Sequence, residues 1–589
     1  MIRLCCGLVL LAIGGLGLGA CGTSISSTHS FFEDAMTIPN IFIVDVEFPR
    51  AFFRPKEPVF WTVRLINPTS AALPITLIIQ ISYLSQPLVE LQRNIVLSVG
   101  IHGVEFVWHP VPETPRGYGL DVTLISGSDG QTLATYSTAF DVLEHWTQMP
   151  RYGFLSDFGP DRLNIEAAFQ SISRYRLNAL QFYDWMYRHE QFLTEQEPYQ
   201  DPLGRTLSRQ SVEAMIAAAH ARGIAAMPYT AIYASSIAFY HQHPDWALYR
   251  PNGQPYLLGE NFLVYMDPRP GSPWSQYLLT QFDEVLTEMA FDGIHLDQYG
   301  DPKDAYDTKG QHFDLAVPLA AMINTTREHV LQLRPQGVVV FNAVGNWPIE
   351  TVALAGQDIV YIEVWSPYTT FHDLHHLITQ AQHLSGGKAV VLAAYIDPTH
   401  EVNARLMDAV ILSSGGTHIE FGEQEGYLAD PYFPRYKTLS TSLGEILKRY
   451  QEFAIRYQNT FGPAARDATP DFGSCLFLPG ITTSPNLLWD KVYPIVRESN
   501  SFTAINLINM VGLSSGEWNQ PIAQIPTPLT DQPVVIKNCS PMVRQVWWAS
   551  PDSQDLSLSP LSFEQSKGQV TFQIPALQYW GLILIEWSK

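Results

Sequence analysis

Cysteine and positive charge are both scarce in this 589-residue chain. Five cysteines occur, and three of them lie within the first 21 residues, which leaves Cys475 and Cys539 either to form one disulfide or to stay free and buried. No Cys/His spacing typical of a zinc site is present, so we expect neither a metal nor a cofactor.

Lysine and arginine number 35 against 57 acidic residues, which gives a net charge of −22. Nothing basic clusters to replace the counterions of nucleic acid, which excludes that partner.

Long apolar runs are also lacking, except at the N-terminus, so no other segment could form a transmembrane helix. There, Arg3 precedes an apolar stretch at residues 8–18, and Leu18-Gly19-Ala20-Cys21 is similar to a bacterial lipobox. We expect a signal peptide at 1–20, a lipidated Cys21 and a polar tether at 21–39, hence an extracytoplasmic protein anchored to a bacterial membrane. An ordinary secretory signal and an uncleaved anchor are the alternatives.

Short strands separated by turn residues fill both ends of the remaining chain. Residues 40–145 show no convincing helical period, and their turns at 67–70 and 126–130 punctuate apolar or alternating runs. We expect strands at 41–48, 59–66, 74–83, 88–97, 119–125 and 132–140, which predict an immunoglobulin-like β-sandwich. Residues 461–589 predict a C-terminal antiparallel β-domain with strands at 502–508, 543–547, 570–574 and 581–586, and with a proline-rich loop at 521–533.

Strands alternate with amphipathic helices between residues 146 and 460. Eight strand candidates occur in order, at 153–157, 179–185, 224–230, 293–299, 338–344, 359–365, 389–396 and 417–421. Helical periodicity occupies 211–222, 276–290, 317–333 and 402–412. Eight βα units in about 300 residues predict a multi-domain protein with a central (β/α)8 TIM barrel between the two β-domains. A doubly wound open sheet is the alternative, but no glycine-rich nucleotide fingerprint follows the first strand.

Two carboxylates close the fourth and sixth of these strands. Aliphatic residues alternate with Asp297 on the fourth strand and with Glu363 on the sixth, so both carboxylates should point toward the barrel axis. Barrel enzymes keep their chemistry at the C-terminal ends of the strands. A retaining glycosidase needs two carboxyl groups about 5–5.5 Å apart, one as nucleophile and one as acid/base. Asp297 and Glu363 are therefore candidate catalytic residues, although each alone could be a structural carboxylate.

Other strand ends carry weaker candidates for substrate contact. They are Tyr183, Asp184, Trp185, His295, Tyr299, Asn342, Trp365, Tyr395 and Glu420. Carboxylate and amide groups can bond sugar hydroxyls, and flat aromatic faces suit sugar rings. For Asp184 the alternative is a salt bridge with Arg188 or His189, and for His295 it is a buried, hydrogen-bonded position in the barrel. Glu420 rivals Glu363, because Ile419 and Phe421 flank it as aliphatic residues flank Glu363.

Several motifs in order resemble glycoside hydrolase family 66. They are residues 153–158 (GFLSDF), 181–189 (QFYDWMYRH), 291–301 (FDGIHLDQYGD), 341–345 (FNAVG) and 361–365 (YIEVW). The resemblance runs from about residue 40 to the C-terminus, and it implies endo-dextranase or cycloisomaltooligosaccharide glucanotransferase activity on α-1,6-glucan. It also implies that Asp297 is the nucleophile and Glu363 the acid/base. The inter-strand segments leave no room for the inserted module of the cyclising members, so the chain looks more like the hydrolytic branch.

These observations together predict a lipid-anchored, retaining endo-glycosidase that cleaves α-1,6-linked glucan to isomaltooligosaccharides. Transfer to a sugar hydroxyl instead of water stays open, as do the exact glucan and the oligomeric state. One alternative is a surface glycan-binding lipoprotein whose barrel captures but does not cleave. Another is a barrel glycosidase with a different α-glucan specificity.

Overall fold

The computed structural model of this chain describes residues 42–110, 115–162, 164–260, 262–462, 465–472, 474–486, 488–537 and 542–588. The predicted signal peptide, the tether, Cys21 and Cys539 lie outside these residues. Within them, no helix is long and apolar enough to cross a membrane.

Seven antiparallel strands form two facing sheets at the start of the described chain. They are β1 (Ile43–Glu47), β2 (Val59–Asn67), β3 (Leu73–Tyr83), β4 (Gln86–Leu97), β5 (Gly100–Trp108), β6 (Arg116–Ser126) and β7 (Thr132–Val142). The strand orders are β1-β2-β5 and β4-β3-β6-β7, and one apolar cluster fills the space between the sheets. The sequence predicted six of these strands but missed β5, in which polar, small and apolar residues mix.

Eight parallel strands form the central barrel. They are β8 (Tyr152–Leu155), β9 (Ala179–Phe182), β10 (Ala225–Ala231), β11 (Gly293–Asp297), β12 (Val338–Asn342), β13 (Ile359–Glu363), β14 (Val390–Ala393) and β15 (Gly416–His418). They are hydrogen-bonded in chain order from β8 to β15, and the Phe154 amide donates to the Phe421 carbonyl oxygen at 3.1 Å, next to the end of β15. The eight-stranded parallel barrel predicted from the sequence is confirmed.

Helices surround this barrel, and short hairpins occupy its loops. The helices are α1 (Ile165–Arg174), α2 (Arg209–Ala221), α3 (Ile237–Gln242), α4 (Pro273–Glu288), α5 (Ala316–Leu333), α6 (Ile349–Val352), α7 (Phe371–Ser385), α8 (Glu401–Ser413) and α9 (Thr441–Phe461), and α10 (Thr469–Phe472) follows. The long excursion after β10 carries a small sheet, Ala234–Ser236, Leu257–Leu258 and Leu263–Tyr265. These loops stand at the C-terminal ends of the strands, where they shape the barrel mouth.

The last part of the described chain returns to antiparallel sheets. Its strands are β16 (Arg466–Asp467), β17 (Leu476–Phe477), β18 (Val492–Glu498), β19 (Phe502–Asn509), β20 (Leu529–Ile536), β21 (Val543–Ala549), β22 (Ser559–Leu561), β23 (Phe563–Ser566), β24 (Gln569–Leu577) and β25 (Trp580–Trp587). The predicted loop at 521–533 is partly wrong, because β20 begins at Leu529 and contains Pro533. The domain boundaries drawn from the sequence stay predictions.

Candidate active site

Strand phase places the two predicted catalytic carboxylates on the inner face of the barrel. Ile294 and Leu296 of β11 pack in the outer apolar cluster, whereas His295 lies in the interior against Tyr152 and Tyr361. Asp297 follows in the same phase at the end of β11. Glu363 ends β13 in the phase of Tyr361, which belongs to the interior cluster. The predicted inward orientation of both carboxylate side chains is confirmed.

One amide group joins the two carboxylates. The Asn342 Nδ2 group, at the end of β12, donates to Asp297 Oδ1 at 2.8 Å and to Glu363 Oε2 at 3.0 Å. Oxygens that share one nitrogen at these distances are at most about 6 Å apart, an upper limit that lies close to the separation of a retaining pair and below that of an inverting pair. The sequence predicted Asn342 at this strand end, and the structure adds that it bridges both carboxylates.

Two tyrosines bind the remaining carboxylate oxygens. The Tyr229 hydroxyl donates to Asp297 Oδ2 at 2.8 Å, and the Tyr395 hydroxyl donates to Glu363 Oε1 at 2.9 Å. Tyr229 lies on β10 and Tyr395 follows β14, so five successive strand ends supply the group. Sequence reasoning missed Tyr229. Strand alternation could have identified it, because Ala225 and Met227 of the same strand face the interior and Tyr229 is the next residue in that alternation.

Burial raises the pKa of both carboxyl groups. For Asp297 the Glu363 charge raises the pKa further, whereas hydrogen bonds from Tyr229 and Asn342 lower it. For Glu363 the bonds from Asn342 and Tyr395 oppose the effect of burial. Two close carboxyl groups in such surroundings release their protons in separate steps, so the pair holds one proton over part of the pH range. One protonated and one ionised carboxyl group is the state that acid-assisted nucleophilic attack requires.

A cavity of about 290 Å³ reaches Tyr229, the residue whose hydroxyl binds Asp297. Tyr229 lines it, as do the predicted contact residues Tyr183 and Asp184. The Tyr183 ring stacks on Phe433 at 4.3 Å between ring centroids. Burial raises the pKa of Asp184 to about 7 against the lowering effect of Arg205, whose guanidinium lies 3.8 Å from this carboxylate. Arg205 is thus the ion-pair partner, where the sequence suggested Arg188 or His189.

Three further candidates take different places in the mouth. Trp365 exposes 42% of its surface and stands 6.0 Å from Tyr395 between ring centroids, so its face is available to a sugar. Tyr299 stacks on Tyr265 at 4.5 Å, and its hydroxyl is buried with no hydrogen-bond partner among the described residues. His295 lies deeper, where its Nδ1 is 2.9 Å from the Tyr152 hydroxyl. Burial lowers its pKa to about 3, so the imidazole is neutral.

Two candidates lie away from the carboxylate pair. Trp185 is only 1% exposed, and its Nε1 donates to the Tyr229 carbonyl oxygen, so its ring fills the core and is not available to stack on a sugar. Glu420 follows β15 in the opposite phase to the one expected. Ile419 packs in the barrel interior, and Glu420 points toward the helices, where Gln451 of α9 donates to it at 3.1 Å. Alternation alone could not fix the phase of so short a strand.

Comparisons with known proteins agree with this architecture. The model of Glycosyl hydrolase family 66 matches residues 48–584. A cycloisomaltooligosaccharide glucanotransferase of Niallia circulans is 24% identical, over 82% of this chain and 66% of the relative. A dextranase of Streptococcus salivarius is 21% identical, over 80% of this chain and 67% of the relative. The chain spans about two thirds of the length of these two curated relatives.

A solved structure has the same fold. The cycloisomaltooligosaccharide glucanotransferase of Paenibacillus sp., complexed with cycloisomaltoheptaose, superposes with a TM-score of 0.86. The two chains are 22% identical, and the match covers 92% of this chain and 99% of the other. Since the family model spans nearly all of the sequence around an eight-stranded barrel with paired carboxylates, the chain belongs to glycosyl hydrolase family 66.

Proposed function

We propose that this protein is a retaining endo-glycosidase that cleaves α-1,6-glucosidic linkages of dextran-like glucan. The observation that carries the proposal is the amide of Asn342, which bonds both Asp297 and Glu363 and so keeps these oxygens closer together than an inverting mechanism needs. The substrate class rests on the family resemblance and on the dextranase and glucanotransferase relatives.

In the proposed reaction, a carboxylate oxygen of Asp297 attacks the anomeric carbon and forms a glycosyl ester. Glu363 gives its proton to the departing glycosidic oxygen, and burial keeps its pKa high enough for it to hold that proton. The ionised Glu363 then takes a proton from water, or from a sugar hydroxyl, as that oxygen displaces Asp297. Water gives hydrolysis and a sugar hydroxyl gives transglycosylation. Two inversions restore the α configuration.

The surroundings of the pair support internal cleavage of a chain. The cavity lined by Tyr183 and Asp184 reaches Tyr229, the residue that binds Asp297. The exposed Trp365 stands near Tyr395, the residue that binds Glu363. Tyrosine and tryptophan faces suit sugar rings, and a carboxylate accepts hydrogen bonds from their hydroxyls. A glucan chain bound across the mouth would place an internal linkage at the carboxylates. Early digests should then contain a spread of isomaltooligosaccharides.

The test measures reducing-end release from dextran, starch and pullulan, together with proton NMR of the first product. We expect release from dextran and an α-anomer at early times. Asp297→Ala and Glu363→Gln should each lower turnover at least about 1,000-fold, equivalent to about 4 kcal/mol of transition-state stabilisation. Azide should partly rescue Asp297→Ala and give the inverted glycosyl azide. The control is Asp304→Ala, an exposed carboxylate on the loop after β11, which should keep full activity.

Each alternative function gives a different result in the same experiment. Binding of dextran without release of reducing ends would indicate a glycan-binding barrel. A β-anomer as first product would exclude Asp297 as nucleophile, and glucose as sole early product would exclude internal cleavage. More than about a tenth of wild-type turnover in Asp297→Ala would contradict the assignment, because a nucleophile has no substitute.

We also propose that the enzyme acts outside the cytoplasm while tethered to a bacterial membrane. The support is the sequence Leu18-Gly19-Ala20-Cys21, with its charged and apolar residues before and its polar stretch after. A polysaccharide substrate is consistent with this location, because a long glucan chain does not cross a membrane.

A further inference from the structure

A buried His–carboxylate cluster lies outside the barrel wall and takes no part in the proposed reaction. Asp408 is on α8, His418 ends β15 and Glu420 follows that strand; all three side chains are fully buried between the wall and the helices. One ligating atom of each lies within 4.8 Å of the others. Buried ionisable groups are retained only when they are paired or when they bind a cation.

The His418 ring turns one particular nitrogen toward the two carboxylates. Its Nε2 lies 2.9 Å from the Ala394 carbonyl oxygen, so that nitrogen carries the hydrogen and donates it. Its Nδ1 therefore faces Asp408 Oδ1 at 3.4 Å and Glu420 Oε2 at 3.3 Å. Charge-assisted hydrogen bonds between nitrogen and carboxylate are shorter, about 2.7–2.9 Å. Ligand atoms around a tetrahedral metal, with bonds of about 2.0–2.1 Å, are about 3.3–3.4 Å apart.

Unpaired acceptor atoms point to a missing positive charge. Asp408 Oδ2 and Glu420 Oε2 are buried, and neither has a hydrogen-bond donor among the residues that the structure describes. With a metal bound, two ionised carboxylates and a neutral imidazole would together carry two negative charges, which one divalent cation neutralises. We infer that Asp408, His418 and Glu420 bind one divalent transition-metal ion of the zinc class, a site that the sequence, with its lack of Cys/His spacing, did not suggest.

Outer contacts of the cluster are those that a metal site needs. The Ala394 carbonyl oxygen holds the Nε2 hydrogen of His418, which fixes the tautomer that leaves Nδ1 free to bind a metal. Gln451 of α9 donates to Glu420 Oε1 at 3.1 Å and leaves Oε2 directed into the cluster. An ion at this place would connect α8, β15 and α9, so its effect would be on the stability of the barrel and not on the active site.

The test is the metal content of the full-length protein after it has been unfolded, refolded with zinc and dialysed. We expect one equivalent of zinc per chain. Refolding with cobalt instead of zinc should give the visible absorption of a tetrahedral site. His418→Gln and Asp408→Asn should weaken zinc binding more than about 100-fold, since even outer partners of a metal ligand cost 10–100-fold. The matched control is His329→Gln, which removes a partly exposed histidine paired with Asp283 at 3.0 Å and should keep the zinc.

The wild-type measurement remains decisive if the substituted proteins do not fold. Refolding in zinc should raise the melting temperature above that of protein refolded in a chelator. Less than about a tenth of an equivalent of zinc after such refolding would overturn the inference and leave a protonated histidine between two carboxylates. Equal zinc content in His418→Gln and His329→Gln would also overturn it, because the metal would then be bound elsewhere.

Discussion

A single amide nitrogen lies between two carboxylates that would otherwise repel each other at the barrel mouth. The Asn342 Nδ2 group donates to Asp297 and to Glu363, and both bonds lower the pKa of the group that accepts them. Asn342 touches both reacting groups, so it acts on the charge of the pair and on its spacing. An aliphatic side chain in its place would leave only one tyrosine hydroxyl at each carboxylate, Tyr229 at Asp297 and Tyr395 at Glu363, to oppose burial and repulsion.

Asn342→Ala should therefore lower kcat about 100-fold and shift the acidic limb of the kcat/KM profile to higher pH. The shift is upward because the lost hydrogen bonds favoured the charged forms, and the nucleophile must be ionised to attack. A pH series of initial rates on dextran measures both effects. Asn94→Ala, an exposed amide bonded to Thr76 in the first sheets, is the control and should leave the profile unchanged. If the acidic limb of the kcat/KM profile stayed at the wild-type pH in Asn342→Ala, the amide would not control the ionisation of the two carboxyl groups.

Residue roles were predictable from the sequence where a strand was long enough to show its phase. Alternating aliphatic residues placed Asp297 and Glu363 inward, and the structure agrees. The same reasoning failed at Glu420, because β15 is three residues long and Ile419 beyond it continues into the interior. Trp185 illustrates a second limit. Its position at the end of a predicted strand suggested contact with a sugar ring, but strand β9 ends at Phe182 and the Trp185 ring packs against Phe291 at 4.9 Å between centroids.

The contact of β6 with α9 joins the first sheets to the barrel. Arg456 of α9 is buried and bonds both carboxylate oxygens of Asp121 at 2.8 Å. The approach is close, because a Cβ added at Gly117 would stand 1.7 Å from the Ile455 carbonyl oxygen. The sequence pattern of β6 predicts a strand, but neither that pattern nor the pattern of α9 indicates that the two elements pack against each other.

Gly117→Ala should destabilise the protein by about 3 kcal/mol, the upper end of the usual cost of overpacking, because the obstructing atom is backbone. Thermal unfolding followed by circular dichroism measures the loss as a lower melting temperature. Gly159→Ala is the matched control, since its added Cβ would meet its nearest neighbour at 3.4 Å, an ordinary contact. Equal melting temperatures for the two variants would mean that β6 and α9 can separate at little cost.

The net charge of the whole molecule bears on the membrane attachment that we propose. A net charge of −22 opposes adsorption to an anionic lipid surface, and the described chain has no helix able to cross a bilayer. The attachment that we propose is instead hydrophobic, through the lipid that the motif ending in Cys21 predicts. Acyl chains hold a protein by burial of their methylene groups, which salt does not weaken.

Cys21→Ser should therefore move the protein out of the membrane fraction or leave its precursor uncleaved. The wild-type protein should stay with the membranes through a high-salt wash and leave them in detergent, because its attachment is hydrophobic and not electrostatic. Fractionation with immunoblotting measures the distribution, and mass spectrometry of the mature N-terminus detects the lipid. Cys475→Ser, a substitution near β17 in the C-terminal sheets, is the control and should fractionate as the wild type does. An unmodified mature N-terminus downstream of Cys21 would contradict the lipid anchor and leave a secreted enzyme with the same barrel.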